Sequence, residues 1–456
     1  MAPPPLLLTA QFTKRDAILY SLGIGCFGDN DDGSIDDIGI IISPSDDELR
    51  FVYEHHNGFE AFPTFLLALS FIAEQWHPDE AGAESCLPSE TRLGSGIRPF
   101  PPDSMSDPSD LQGGEGGVRG GLIPRMFFRN PTNAIQVRDF PILHISQSLT
   151  LHRKFPIYPP YQQEGDSSSM DPPIQIHLES RVTSVRPKNI GTFITTRTLY
   201  FQLDVKGERC YVATAEMTGL VLGVDPNLVI PWKSQENEDE KIVESKTEQS
   251  AALRKGLGSE QKNNNAPGSS SLIRPSNTHL HRNKFTTWQY KIPRNSALLY
   301  RLSGDYNPIH VDDSGDNSLA AWMPSNDDGN QKRGPVLHGL CTMGYAVRAV
   351  LKHATNDYRE KEKVSLTFVR CNFAKPVFIG DVLRVRVWDE NEASNSIPNA
   401  TNLISPRDRS LSFRVFRVPK DLPNEALGHV AWEKKLEIVV DKGFATVRWE
   451  SSISRL

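Results

Sequence analysis

At 456 residues the chain is too long for one compact core and calls for two domains with connections between them. With 38% hydrophobic and 23% charged residues it reads as globular, and a formal net charge of -6 excludes the strong basic footprint of a nucleic-acid binder. No apolar stretch is long enough to span a bilayer: the longest, residues 61–73, is short and contains Pro63.

The first eight residues lack the basic start and full apolar core of a secretory signal. The five cysteines, Cys26, Cys86, Cys210, Cys341 and Cys371, are scattered and form no Cys-x-x-Cys pair. Free thiols in a reducing compartment, without a zinc site, are expected.

In chain order, residues 63–74 form an apolar run that reads as a buried helix. Residues 79–121 are rich in Pro, Ser and Gly and read as a loop insertion; residues 161–173 read as a second. Strand-like runs follow at 174–178, 192–201 and 211–217. Residues 233–274 are polar and poor in large apolar groups, so a disordered linker is expected there. A second helix is predicted at 340–351. Strands follow again at 382–388, 411–415 and 445–449; in the first, Leu383, Val385 and Val387 alternate with Arg384 and Arg386. One apolar helix followed by long antiparallel strands, twice over, predicts an α+β class with a helix wrapped by a curved sheet in each half. The expected organisation is a first repeat at 1–232, a linker at 233–274 and a second repeat at 275–456, forming an internal pseudo-dimer.

The densest polar chemistry lies in residues 300–310. Turn signals at Ser303-Gly304 and Asn307-Pro308 make this a loop, and it presents Asp305, Asn307 and His310 within six residues. A carboxylate and an imidazole brought together by a tight turn can polarise one water. The alternative is an Asx-turn in which Asp305 and Asn307 bond their own backbone. Asp312 and Asp313 add oxygens, but the spacing fits no standard calcium or zinc loop. Downstream, His338 and Gly339 stand just ahead of the second predicted helix. Unsatisfied amides at a helix start can receive the oxygen of a polarised carbonyl. The plainer reading makes His338 a capping or buried residue.

These stretches resemble the MaoC-like (R)-specific enoyl-CoA hydratase 2 family, in its two-repeat eukaryotic peroxisomal form. Residues 300–310 look like its hydratase 2 signature, residues 335–342 like the start of its central helix, and 373–377 with 380–381 like the next strand and turn. Residues 20–25, 53–54 and 62–65 match its first repeat in order. The resemblance implies a double hot-dog fold. It implies that Asp305 and His310 are catalytic, that Asn307 sits at the catalytic water, and that the Gly339 N–H receives the thioester oxygen. It further implies ligand contacts from Glu54, His144 (with Leu143), Lys188 and Phe373. Two departures stand out. The family's Leu-His-Gly-Glu-Gln is here Leu143-His-Ile-Ser-Gln147, and an insertion around 324–330 separates His310 from Gly339.

The resemblance makes the chain a hydratase of enoyl-CoA, giving (3R)-3-hydroxyacyl-CoA without cofactor or metal. A hot-dog acyl-CoA thioesterase and a non-catalytic acyl-CoA-binding protein are the competing readings. Ser454-Arg455-Leu456 is a variant of the peroxisomal C-terminal address, so an import receptor is an expected partner and the peroxisome the expected location. Neither nucleic acid nor a membrane span is expected. Whether the pseudo-dimer pairs again as a homodimer is open.

Overall fold

The computed structural model describes residues 5–26, 31–35, 41–42, 48–74, 127–129, 142–157, 173–234, 285–311, 335–356, 363–390, 408–418 and 436–450. The predicted insertions, nearly all of the predicted linker, Asp312 and Asp313, the segment around 324–330 and the C-terminal tripeptide lie outside the described residues.

The first repeat opens with β1 (Leu6–Phe12) and α1 (Lys14–Gly23). Asp16 anchors the start of α1 by accepting from the Thr13 N–H at 2.8 Å, the return arm of a capping box. A short α2 (Leu49–Val52) and the apolar α3 (Phe65–Glu74) follow. Four long strands complete the repeat's own sheet with β1: β4 (Ile142–Leu151), β5 (Ile174–Lys188), β6 (Gly191–Leu203) and β7 (Arg209–Leu222). In the interval between α1 and α2 lie β2 (Asp31–Ile35) and β3 (Ile41–Ile42); β8 (Trp232–Lys233) pairs with β5. The boundary read at residue 232 therefore falls inside a strand of the first repeat.

The second repeat runs β9 (Phe285–Lys291), α4 (Ser296–Tyr300), α5 (Gly339–Asn356), β10 (Lys363–Phe373), β11 (Val382–Asp389), β12 (Asp408–Val418) and β13 (Glu437–Glu450). The thirteen described strands join one sheet; twelve run in the order β1-β5-β6-β7-β4-β10-β13-β12-β11-β9-β2-β3, and β8 lies off this path on β5. Its two halves share one topology: β1-β5-β6-β7-β4 mirrors β9-β11-β12-β13-β10. The repeats meet where β4 pairs antiparallel with β10, Gln147 opposite Cys371 and Leu149 opposite Val369. Strand β2 crosses over to pair with β9 on the outer edge of the second repeat, and β3 pairs with β2 beyond it.

Residues 340–354 are buried on every side, as the central helix of such a wrap must be. Each fully buried Leu, Met or Val there contributes about 1.5–3 kcal/mol relative to exposure. Helix α5 packs on β9, β10, β11, β12 and β13, and α3 packs on β1. The predicted strands are present and longer than their apolar cores suggested. The whole is α+β in the double hot-dog arrangement. Cys26, Cys210, Cys341 and Cys371 form no disulfide with one another. Among the described residues no helix is long and apolar enough to cross a membrane.

Candidate active site

The chain leaves α4 through a single 3-10 turn, Arg301–Ser303, and reverses at Gly304. Gly304 has φ +112°, and a Cβ there would lie 3.1 Å from Ile72 of α3, so glycine is required on both counts. The reversal brings Asp305 against the start of α5. The Asx-turn read from the sequence is present in this loop. Asp305 Oδ1 accepts from the Asn307 N–H at 3.4 Å, and Asn307 Oδ1 accepts from the Ile309 N–H at 3.2 Å. These Asx-type bonds occupy one carboxylate oxygen and leave Oδ2 for chemistry.

Asp305 Oδ2 lies 3.9 Å from His310 Nε2 and 4.0 Å from His338 Nε2. A separation of this size suits one bridging water. His310 Nδ1 is 2.7 Å from the Val336 carbonyl, which can only accept, so Nδ1 carries a proton. The Nε2 of a neutral His310 is then a bare acceptor aimed at Asp305. The Val336 N–H in turn donates to the Ile309 carbonyl at 3.4 Å, zipping the loop to the chain ahead of α5. Burial pushes the Asp305 carboxyl above its ordinary value, and the charge of His310 opposes that shift. A carboxylate so raised is a stronger base.

Gly339 is the first residue of α5, where backbone N–H groups lack helical partners. A Cβ on it would sit 3.7 Å from both His144 Nδ1 and the Phe373 ring. The His144 and Phe373 rings pack at 4.7 Å. Four expected contributors thus meet: Asp305 and His310 on one side of the α5 start, His144 and Phe373 on the other. His144 comes from the first repeat. It reaches the site through a β-bulge, since the β4–β7 register slips at Ile145. The slip puts His144 on the same face as Gln147, and His144 Nε2–H donates to Gln147 Oε1 at 3.1 Å. Gln147 is held the right way round by donating to the carbonyls of Ser148 and Glu216. Burial lowers His144 to about 4, so the ring is neutral with Nδ1 bare.

Three expected residues are placed apart from this cluster or at its rim. Asn307 is exposed. Glu54 lies at the surface with its carboxylate 3.6 Å from His55 Nε2. Lys188 is exposed at the end of β5, beside the turn into β6. No described contact links Glu54 or Lys188 to Asp305.

One residue enters that sequence reasoning treated only as a cap or core histidine. The His338 ring stacks on His310 at 3.6 Å and 27°, and Tyr300 covers its other environment at 4.6 Å. Its position directly before the glycine of the α5 start was the available signal. Asp305, His310 and His338 bring donor atoms within 4.8 Å of one another, near enough to consider a cation. Stacked imidazoles, however, keep their lone pairs in two ring planes only 27° apart. They do not converge on one ion as a tetrahedral site requires.

Comparison with known proteins gives two family matches. Residues 275–402 match the MaoC like domain, and residues 10–85 match the MFE-2 hydratase 2 N-terminal domain. The chain is 37% identical over 109 residues to the peroxisomal multifunctional enzyme type 2 of Drosophila melanogaster, covering 24% of this chain and 16% of that protein. It is 33% identical over 109 residues to the peroxisomal enoyl-CoA hydratase 2 of Arabidopsis thaliana, covering 24% of this chain and 30% of that one. Each match therefore spans less than a third of the relative's length. Among solved structures, a MaoC-like dehydratase from Phytophthora capsici aligns over 98% of this chain and 97% of its own, at 19% identity and a TM-score of 0.47. Full-length peroxisomal multifunctional enzyme type 2 from Drosophila melanogaster aligns over 98% of this chain and 48% of its own, at 18% identity and 0.46. Along this one chain, a stretch similar to the MFE-2 hydratase 2 N-terminal domain is thus followed by a stretch similar to the MaoC like domain.

Proposed function

We propose that the protein is an (R)-specific enoyl-CoA hydratase, converting trans-2-enoyl-CoA and water to (3R)-3-hydroxyacyl-CoA. The observation that carries this reading is the Asp305–His310 pair, 3.9 Å apart, beside the Gly339 amide at the head of α5. The thioester oxygen accepts from the Gly339 N–H, which draws electrons from C3. A water held between Asp305 Oδ2 and His310 Nε2 gives a proton to the pair as its oxygen bonds C3. The electron pair of the double bond takes a proton at C2 from the same pair, so one water is added across the bond. No step calls for a metal or cofactor. His144, Phe373 and Asn307 line the ligand's path, and Glu54 and Lys188 serve the coenzyme A portion farther out.

The test is turnover of crotonyl-CoA with chiral analysis of the product. The reading requires 3-hydroxybutyryl-CoA of R configuration. Release of free coenzyme A instead would favour a thioesterase, and binding without turnover an acyl-CoA-binding protein.

Peroxisomal residence follows as part of the proposal. It is supported by Ser454-Arg455-Leu456 and by the peroxisomal names of the Drosophila and Arabidopsis relatives. A fluorescent fusion that leaves this terminus free should enter peroxisomes. One that masks it should stay in the cytosol; import despite masking would discard the tripeptide as the signal.

A further inference from the structure

We propose that His338 is a positioning residue that holds the Asp–His pair in register with the Gly339 amide. This rests on the hydratase reading above and adds a residue to its machinery. Two parts of the site come from different segments: the loop carrying Asp305 and His310, and the peptide between residues 338 and 339, whose N–H faces the thioester. His338 belongs to that peptide, and its ring reaches back to the loop. Nε2 lies 3.3 Å from the Asp305 backbone carbonyl, which can only accept, so Nε2 is the protonated nitrogen. The opposite tautomer would set a lone pair against the carbonyl oxygen and bury an N–H at Nδ1, which has no hydrogen-bond partner. The same ring lies flat on His310 at 3.6 Å, fixing the plane in which Nε2 of His310 meets the water.

The side chain is 1% exposed, and its charged form is disfavoured first by burial and then by His310. A neutral ring here lets His310 take up a proton without a second cation stacked against it. One side chain therefore sets the distance between acid-base pair and amide, orients the imidazole and leaves the charge to His310. A displacement of about 1 Å in such an array costs on the order of 10²-fold in rate.

The test separates this role from packing. His338→Phe keeps a flat aromatic ring for the stack, slightly larger than the imidazole, but removes the Nε2–H. His338→Gln loses the ring but returns a donor near the Nε2 position. With crotonyl-CoA, kcat of His338→Phe should fall about 10- to 100-fold while KM moves little, and His338→Gln should recover part of the loss. A His338→Phe enzyme with wild-type kcat, or a His338→Gln enzyme no better than His338→Phe, would overturn the inference. Failure of the wild-type protein to hydrate crotonyl-CoA would count against the hydratase reading instead. The tautomer is then read without turnover, from long-range ¹⁵N imidazole spectra of the wild-type protein near neutral pH. A neutral ring protonated at Nε2 supports the inference; protonation at Nδ1, or at both nitrogens, overturns it.

Discussion

The two repeats share a strand order and a core grammar, yet only the second carries the Asp305–His310 pair on which the proposed chemistry rests. Tyr20 follows β1 as Tyr300 follows β9, and the two rings pack at 5.5 Å where the repeats meet. Five residues beyond them stand Gly25 in the first repeat and Asp305 in the second. The residue ahead of the central helix is Thr64 in the first and His338 in the second. Thr64 accepts from the Tyr20 hydroxyl at 2.9 Å, where His338 lies under Tyr300 and donates to the loop. Gly25 has φ +79°, and a Cβ there would fall 2.8 Å from Tyr345 and 3.0 Å from Arg348. The ground that a second acid-base loop would need is taken by Arg348, which pairs bidentately with Glu48 and donates to the Ile24 carbonyl. The lesson is that the wrap is common to both repeats, while the proposed catalysis rests on a few loop residues of one. The vacated position of the first repeat is filled by an ion pair between the repeats, Glu48 from the first and Arg348 from α5 of the second, and the first repeat sends His144 to its neighbour.

The largest expected effect tests this division directly. Asp305→Asn should lower kcat about 10²- to 10⁴-fold, measured with crotonyl-CoA. Because burial raises the Asp305 carboxyl in the folded state, its ionisation opposes folding above its unfolded value. The variant should therefore melt at the same temperature or higher near neutral pH. Loss of folding would recast Asp305 as structural.

The next effect belongs to the Glu48–Arg348 ion pair that joins the two repeats. Glu48→Gln leaves the Arg348 charge buried without its full counter-charge, and removing one partner of a buried pair costs about 3–5 kcal/mol. Denaturant unfolding should register that loss, with KM for the remaining folded enzyme little changed. An unaltered midpoint would mean that the pair is not what seals the vacated position.

A smaller effect concerns acid. The folded state keeps His144 neutral down to about 4 against an ordinary 6.5, whereas the unfolded chain takes up the proton first. The sign is a loss of stability as pH falls through this window, at most about 1.4 kcal/mol per pH unit for one group. His144→Gln should flatten the decline, and His338, lowered by burial in the same way, should supply part of what remains. A slope unchanged in the variant would remove His144 from the account.

The smallest is Thr64→Val. It removes the Tyr20 contact and should cost about 1 kcal/mol in stability, with kcat intact. A kcat loss comparable with that of a second-repeat lesion would break the asymmetry.

Much of this was legible in the sequence. The buried helix α5 and the alternating β11 announce themselves by period, and Asp305 and His310 by their density within one loop. Other parts were not. On paper, alternation sends His144 and Gln147 to opposite faces of β4; only the bulge at Ile145 joins them, and Ile carries no bulge signal. Helix α1 buries Asp16 and Ser21, so its apolar period is weak. The crossing of β2 and β3 to the far sheet edge depends on partners more than two hundred residues away. The role of His338 required a backbone carbonyl and a ring plane, neither of which residue identity specifies.

The antiparallel seam between β4 and β10 has a consequence for dose. Two separate chains sharing a site would lose it on dilution, because a composite site vanishes with the complex. Here His144 and Gly339 belong to one polypeptide, so the effective concentration of one half for the other is set by the covalent tether. Specific activity should then stay constant as enzyme is thinned to nanomolar levels, and no excess of one half can poison the other.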